Sequence, residues 1–457
     1  MVAAACGARV SQDQVRAAAG GNGVTGAGAA AADGSTSGAT DNGSAGASGA
    51  GATGGAASGA TGAPGAATAG GGAAATGDNG GATDIGITAT QVLLGNVSTL
   101  SGPVPGLFQG AVIGAQAAVA YQNSLGGLFG RKFKLDARDD QFDTGQNRSA
   151  TIDLTKKAFA MVGSFSLYDD AAKDAVTASG MPDVTYSLTS RRDIPNNFSV
   201  EPAKVGGAPL APFNYFGRKF PAETKAAGTI YGDVASSKAS ADAYMSAART
   251  VGWNFVYQRG AQATETDFTA DVIRMRSSGV KLVYLGATDD KTLARILKAM
   301  DAQNFKVPVV TTGIGYAPDL PSLAGSAAEG LYTWAPYAMF AGEDAAAIPE
   351  VKLMDQWVQK VKPGFVPDLY TAFAWASGRL LFQAMQKAGP KAKRVDVVNA
   401  LKAFTSFSDD NLVAPAGPGN KTPPTCGVVT QIKNGKFVRI EPAAPGYKCD
   451  DGSYHVG

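Results

Sequence analysis

The sequence predicts an α/β protein of two doubly wound, Rossmann-like lobes preceded by a disordered linker. Three observations predict it. From about Ile85 onward, short β-rich runs alternate with longer amphipathic ones, as in parallel strands joined by helical crossovers. That region holds about 370 residues, more than one hydrophobic core usually serves. From Ala17 to Thr83 the chain is dominated by Gly and Ala, with Ser, Thr, Asn and Asp most of the rest. Val24 is its one sizeable apolar residue, and it has no Lys, Arg or aromatic residue. Such a stretch cannot bury enough surface to offset its ordering entropy, so residues 1–83 are expected to tether rather than fold.

The elements follow in order. Gln91 to Val97 is an apolar strand run that leads to the turn residues Ser101-Gly102-Pro103. Phe108 to Asn123 is Ala-rich, with Phe108, Val112, Ala115 and Val119 at helical spacing, and Gly126-Gly127 follows it. Lys132 to Ala137 reads as a strand, Thr151 to Phe159 as the later part of a helix, and Ala160-Met161-Val162 as a buried strand. A helix over Asp169 to Ala178 comes next. The alternation then repeats, with strands Thr229–Tyr231, Asn254–Tyr257, Lys281–Leu285 and Val307–Thr311. Helices Ser237–Val251, Asp267–Ser277 and Asp290–Gln303 separate them. Lys281–Leu285 is nearly all apolar, as a central parallel strand should be. In such sheets, ligands bind beyond the carboxyl ends of the strands, and two facing lobes therefore imply a cleft.

Composition narrows the function. The chain has 40 Lys+Arg against 38 Asp+Glu, a net charge of +2, which provides no basic field for nucleic acid. Its one His, His455, leaves no material for a His-based triad or a His-rich metal site. There is no Gly-Lys-Ser/Thr phosphate loop and no Gly-x-Ser-x-Gly elbow, so no enzyme activity and no cofactor are expected. No run of about 18 apolar residues occurs to cross a membrane as a helix. Of the three cysteines, Cys426 and Cys449 flank a strand at Lys436–Ile440 and are read as a disulfide, two free thiols being the alternative. Asp139, Asp140 and Asp143 read as a structural turn rather than a metal site, and Arg191-Arg192 as a solvated surface pair.

One ordered series of fragments carries a resemblance. Ser101-Gly102-Pro103, Gly114, Asn123 with Gly126-Gly127, Gly130-Arg131-Lys132 and Asp139-Asp140 with Asp143 come first. Val162-Gly163, Gly180-Met181-Pro182, Thr266-Asp267-Phe268, Ala328 to Tyr332 and Pro367-Asp368-Leu369-Tyr370 follow. The series resembles the branched-chain amino-acid-type substrate-binding proteins of ABC transporters. The resemblance implies a type I periplasmic-binding-protein fold, with three crossings between discontinuous lobes. The lobes are expected over 84–202 with 336–411, and 203–335 with 412–457. Ala3, Ala4 and Ala5 before Cys6 also resemble a bacterial lipobox, with Ala3 where Leu is usual. That implies a lipid-modified Cys6 and anchoring to the outer face of the cell membrane.

The resemblance also implies a site. Loops Gly163–Tyr168 and Ser187–Thr189 would hold a solute carboxylate from the first lobe. Ser187 and Thr189 fit that pattern, Leu167 replaces a Ser, and Ser164 or Ser166 would supply the lost hydroxyl. The family's aromatic positions map onto Leu107, Ser236 and Thr288. The acidic residue that would hold an α-ammonium maps onto Gly313. No carboxylate replaces it at that position, with Asp289 and Asp290, close in sequence to Thr288, first in line to do so. Burying an ammonium without a partner is costly, which puts an ordinary amino acid in doubt. Phe108, Phe165, Tyr168, Tyr231 and Tyr316 would line a more apolar cleft, core packing being the competing role for each. The expected partners are a small solute, amino acid or related organic acid, and an ABC permease, with the binder a monomer. A ligand-sensing ectodomain acting through a partner protein is the alternative.

Overall fold

The computed structural model describes residues 78–449 and 453–457. Cys6 and the expected linker up to residue 77 lie outside the described residues. The linker was expected to run to residue 83, but residues 78–83 are held on the folded body. The Arg131 guanidinium donates to the carbonyl oxygens of Asn79 (2.5 Å) and Gly81 (2.8 Å), and Lys391 pairs with Asp78 at 2.6 Å.

Four strands form the first sheet: β1 (Gln91–Ser98), β2 (Lys132–Asp139), β3 (Ala160–Val162) and β4 (Asp183–Val184). Their order is β2-β1-β3-β4 and every pairing is parallel. The helix Gln109–Ser124 connects β1 to β2, and the helix Thr144–Thr155 connects β2 to β3. The latter ends four residues before the expected Phe159. Its start is set by Asp143, whose carboxylate accepts from the Gln146 amide at 2.8 Å. The helix expected over 169–178 is a 3₁₀ turn, Asp169–Ala172, followed by the helix Lys173–Ser179.

After β4 the chain enters a second region. Strand β5 (Gly207–Pro209) pairs there with the C-terminal β13 (Tyr454–Val456). A seven-stranded sheet then forms from β6 (Ala227–Gly232), β7 (Phe255–Ala261), β8 (Leu282–Tyr284), β9 (Val309–Thr311), β10 (Tyr332–Ala335), β11 (Val428–Lys433) and β12 (Lys436–Glu441). Its order is β12-β11-β10-β9-β8-β6-β7. The pairs from β7 to β10 are parallel, and β11 and β12 add antiparallel. Between β10 and β11 the chain returns to the first sheet, where helices Pro349–Val361 and Leu369–Ala388 pack on the helix Gln109–Ser124. With the passage back to β11, three crossings join the two sheets. This is the type I periplasmic-binding-protein architecture that the resemblance implied.

Small residues set the tightest helix contact. An added Cβ at Gly114 would lie 2.3 Å from the Thr371 carbonyl oxygen, and one at Gly378 would lie 2.6 Å from the Ala118 methyl. The partner helix is fixed at its start by a capping box. The Thr371 amide donates to Asp368 Oδ1 (2.8 Å), and the Asp368 amide donates to Thr371 Oγ1 (3.2 Å). Cys426 and Cys449 form a disulfide that ties the chain entering β11 to the segment after β12.

Candidate functional site

Loops at the carboxyl ends of both sheets converge on one cleft. Its inner cavity has a volume of about 210 Å³. From the first sheet it is walled by Val104, Leu107 and Phe108 after β1, Phe165 and Leu167 after β3, and Tyr186 and Leu188 after β4. Asp233 and Ser236 after β6, Thr288 and Asp289 after β8, and Gly313 and Ile314 after β9 form the facing wall. Leu369, Tyr370 and Phe373 also line the cavity. An outer cavity of about 490 Å³ shares Leu167, Tyr186, Leu188, Glu201, Ser236 and Tyr244 with it and continues to Tyr168, Thr189, Arg192 and Lys204.

The first-sheet wall is aromatic. Phe165 stacks flat on Tyr186 (ring centroids 4.8 Å apart), and Tyr186 stacks flat on Phe373 (5.4 Å). Phe108, Phe165 and Tyr370 meet edge-on or tilted at 4.6–4.8 Å. Core packing and cleft lining, posed as rivals for Phe108 and Phe165, are therefore both their role. Tyr316 is instead buried away from the cavity, where its hydroxyl donates to Glu343 at 2.6 Å. Tyr231 does not line either cavity.

The structure distributes the expected site residues unevenly. Leu107, Phe108, Leu167, Ser236, Thr288 and Gly313 line the inner cavity, while Tyr168 and Thr189 line the outer one. Ser164, Ser166 and Ser187 line neither, and their hydroxyls serve the loops. Ser164 Oγ accepts from the Val97 amide at 3.0 Å. Ser166 donates to Asp140 and accepts from Asn147 Nδ2 at 3.0 Å. Thr189 donates to the buried Asp169, which also accepts from the Leu188 amide at 2.7 Å. Burial pushes the Asp169 carboxyl up, and the hydrogen bonds from Thr189 and its neighbours oppose this.

Gly313 has a steric explanation. An added Cβ there would lie 2.8 Å from Tyr337 Oη, and that hydroxyl donates to the Gly313 carbonyl oxygen. An acidic side chain at 313 would have to displace the Tyr337 ring. Asp139, the last residue of β2, and Asp140 and Asp143 beyond it make a turn, as expected. Asp139 accepts from the Leu100 amide (2.9 Å) and the Ser101 hydroxyl (2.6 Å), and Asp143 caps the helix. The surface reading of Arg191 was wrong. Its side chain is 2% exposed and its guanidinium is paired with Asp183 through two 2.8 Å contacts, leaving Arg192 at the outer cavity.

Several lining residues escaped sequence reasoning. Tyr186 stands directly before the expected Ser187, and Tyr370 ends a fragment that carried the resemblance, so both were within reach. Glu201, where the cavities meet, had no signal beyond the following Pro202. Surrounding protein pushes its carboxyl up to about 8, with Arg192 opposing.

Fold and cleft together define an α/β protein of the periplasmic-binding-protein type with a cavity between its two sheets. A model of the periplasmic binding protein family matches residues 91–436, and the chain belongs to that family. It is 24% identical over 331 residues to a Leu/Ile/Val-binding protein homolog 2 of Brucella abortus, covering 70% of this chain and 85% of that one. It is 27% identical over 295 residues to an amino acid binding protein of Pseudomonas aeruginosa, covering 60% and 73%. Among solved structures, a fatty acid ABC transporter substrate-binding protein from Thermomonospora curvata superposes with a TM-score of 0.69 at 19% identity, over 84% of this chain and 99% of that one. A branched-chain amino acid ABC transporter protein from Thermus thermophilus with bound valine gives 0.68 at 16% identity, over 79% and 97%.

Proposed function

We propose that the chain captures a small organic solute in this cleft, outside the cytoplasm, and delivers it to an ABC-type importer. The observation that carries the reading is a cavity walled by strand-end loops of both sheets, two of whose lining residues, Ser236 and Thr288, carry buried hydroxyls with no hydrogen-bond partner among the described residues. The relatives support the reading, since those named are a Leu/Ile/Val-binding protein homolog and an amino acid binding protein, and one structural neighbour is a fatty acid ABC transporter substrate-binding protein. The lobes comprise 84–202 with 336–411, and 203–335 with 412–457, and they close on the solute as a monomer. Leu107, Phe108, Leu167, Ser236, Thr288 and Gly313 face the solute. A lipid on Cys6 holds the protein at the outer face of the membrane, and the linker keeps the binder near its permease at high effective concentration.

A thermal-shift screen of the full chain against amino acids, amides, aromatic acids and aliphatic acids tests the function. A solute at a hundred times its dissociation constant adds about 2.7 kcal/mol of stability. A saturable shift with one chemical class is expected. No shift across the whole panel, with calorimetry equally silent, would overturn the reading.

A further inference from the structure

We infer that the solute lies in the cleft with its polar head on Ser236, Thr288 and the first turn of the helix Ala235–Thr250, and its apolar body on the aromatic wall opposite. The head is a carbonyl group, carboxylate or carboxamide, without an α-ammonium beside it. This rests on the solute-binding reading above and gives that site a direction.

The first-sheet side offers few free donors. The hydroxyls of Ser166 and Thr189 are committed to Asp140 and Asp169, and the Leu188 amide is committed to Asp169 as well. A carboxylate belonging to the protein thus already holds the donors expected for a solute carboxylate. What this side presents instead is Leu107, Phe108, Phe165, Leu167 and Phe373, with the phenol hydroxyls of Tyr186 and Tyr370 as its remaining side-chain donors. These rings and branched chains reward an apolar body.

The facing wall is the reverse. Ser236 and Thr288 line the inner cavity and are only 5% and 8% exposed, and their buried hydroxyl oxygens have no hydrogen-bond partner among the described residues. Buried hydroxyls without partners are costly, and an acceptor between them relieves both. Ser236 also belongs to the first turn of a 16-residue helix whose N-cap is Val234, which provides no side-chain cap. The amides of that turn are therefore available to an acceptor, and the helix dipole favours one carrying partial or full negative charge.

An ammonium beside Ser236 and Thr288 has no equivalent place: Glu201 lines the same cavity, but burial holds its carboxyl protonated, raised to about 8. Two carboxylates line this wall, and both are engaged. Asp289 accepts from the Thr292 amide (2.9 Å) and hydroxyl (2.6 Å), and Asp233 accepts from Gln262. Position 313 has no room for a third while Tyr337 stays in place.

The test uses four matched probes with the full chain in titration calorimetry: leucine, 4-methylpentanoate (leucine without its amine), 4-methylpentanamide, and 3-methylbutylamine (leucine without its carboxylate). The acid or the amide is expected to bind at least ten-fold tighter than leucine and the amine. Which of the two is tighter identifies the head. Ser236→Ala and Thr288→Val are each expected to weaken the preferred probe about ten-fold with the melting temperature of the solute-free protein unchanged or raised, since an unpartnered buried hydroxyl is removed, and Ser236→Thr is expected to keep most of the affinity. Leucine or the amine binding tightest would overturn the inference while leaving the solute-binding function intact. So would unchanged affinity in the Ser236→Ala, Thr288→Val double variant, measured with the tightest solute of the thermal screen should none of the four bind. If no solute of either set binds, the solute-binding reading itself falls.

Discussion

Glu201 lines both cavities with a carboxyl that makes no hydrogen bond among the described residues, under the opposing field of Arg192. Its carboxyl is raised from 4.5 to about 8 because the surrounding protein disfavours the charged form. The sign of the consequence is fixed. The unfolded chain releases this proton near 4.5, whereas the folded chain keeps it until about 8. Holding the proton costs the fold stability as pH rises across that window, and the loss is complete above it. Melting temperatures of Glu201→Gln should therefore gain on the wild type between pH 5 and 8, with little difference at pH 4. Parallel pH profiles for the two proteins would show that Glu201 titrates normally, in contact with bulk water.

At the scale of elements, the 109–124 and 369–388 helices approach closely because Gly114 faces the Thr371 carbonyl. Gly114→Ala places a methyl carbon 2.3 Å from that backbone oxygen, so the helices must separate. We expect a loss of about 2–3 kcal/mol, read as a lower urea midpoint at unchanged slope. A midpoint within error of the wild type would show that the pair tolerates separation. Elements of this sort were legible where one segment carried its own signal. β1, β3 and the helix Asp290–Ala302 declare themselves by apolar runs or periodicity, and each lies within two residues of its expected limits. The site was legible only in part, for two physical reasons. Ser166 and Thr189 have the residue type of ligand donors, yet their hydroxyls are taken by Asp140 and Asp169, which are 26 and 20 positions away. Arg191 has the residue type of a surface group, yet a β4 aspartate neutralises it in the interior. Local sequence gives a side chain's chemistry but not the partner that consumes it. The aromatic wall has the same limit, since Phe165, Tyr186 and Phe373 stack only after three separate segments have folded together.

For the whole molecule, the proposed closure requires contacts that exist only when the two halves are near each other. One such contact crosses the mouth of the cleft. Lys291, one residue into the helix that begins at Asp290, donates through Nζ to the Pro105 carbonyl oxygen at 3.2 Å, in the loop after β1. The contact is exposed, so we assign it about 0.5–1 kcal/mol. That energy enters the open–closed equilibrium and not the stability of either half. Lys291→Met should accordingly weaken solute binding roughly two- to five-fold while leaving the melting temperature of the solute-free protein unchanged. Small-angle scattering should show both proteins contracting with saturating solute, because a solute that contacts both walls supplies the larger part of the closing energy. A lower melting temperature with unaltered affinity would place Lys291 in the resting fold instead. Contraction absent from the wild type would remove closure from the mechanism and leave a preformed cleft.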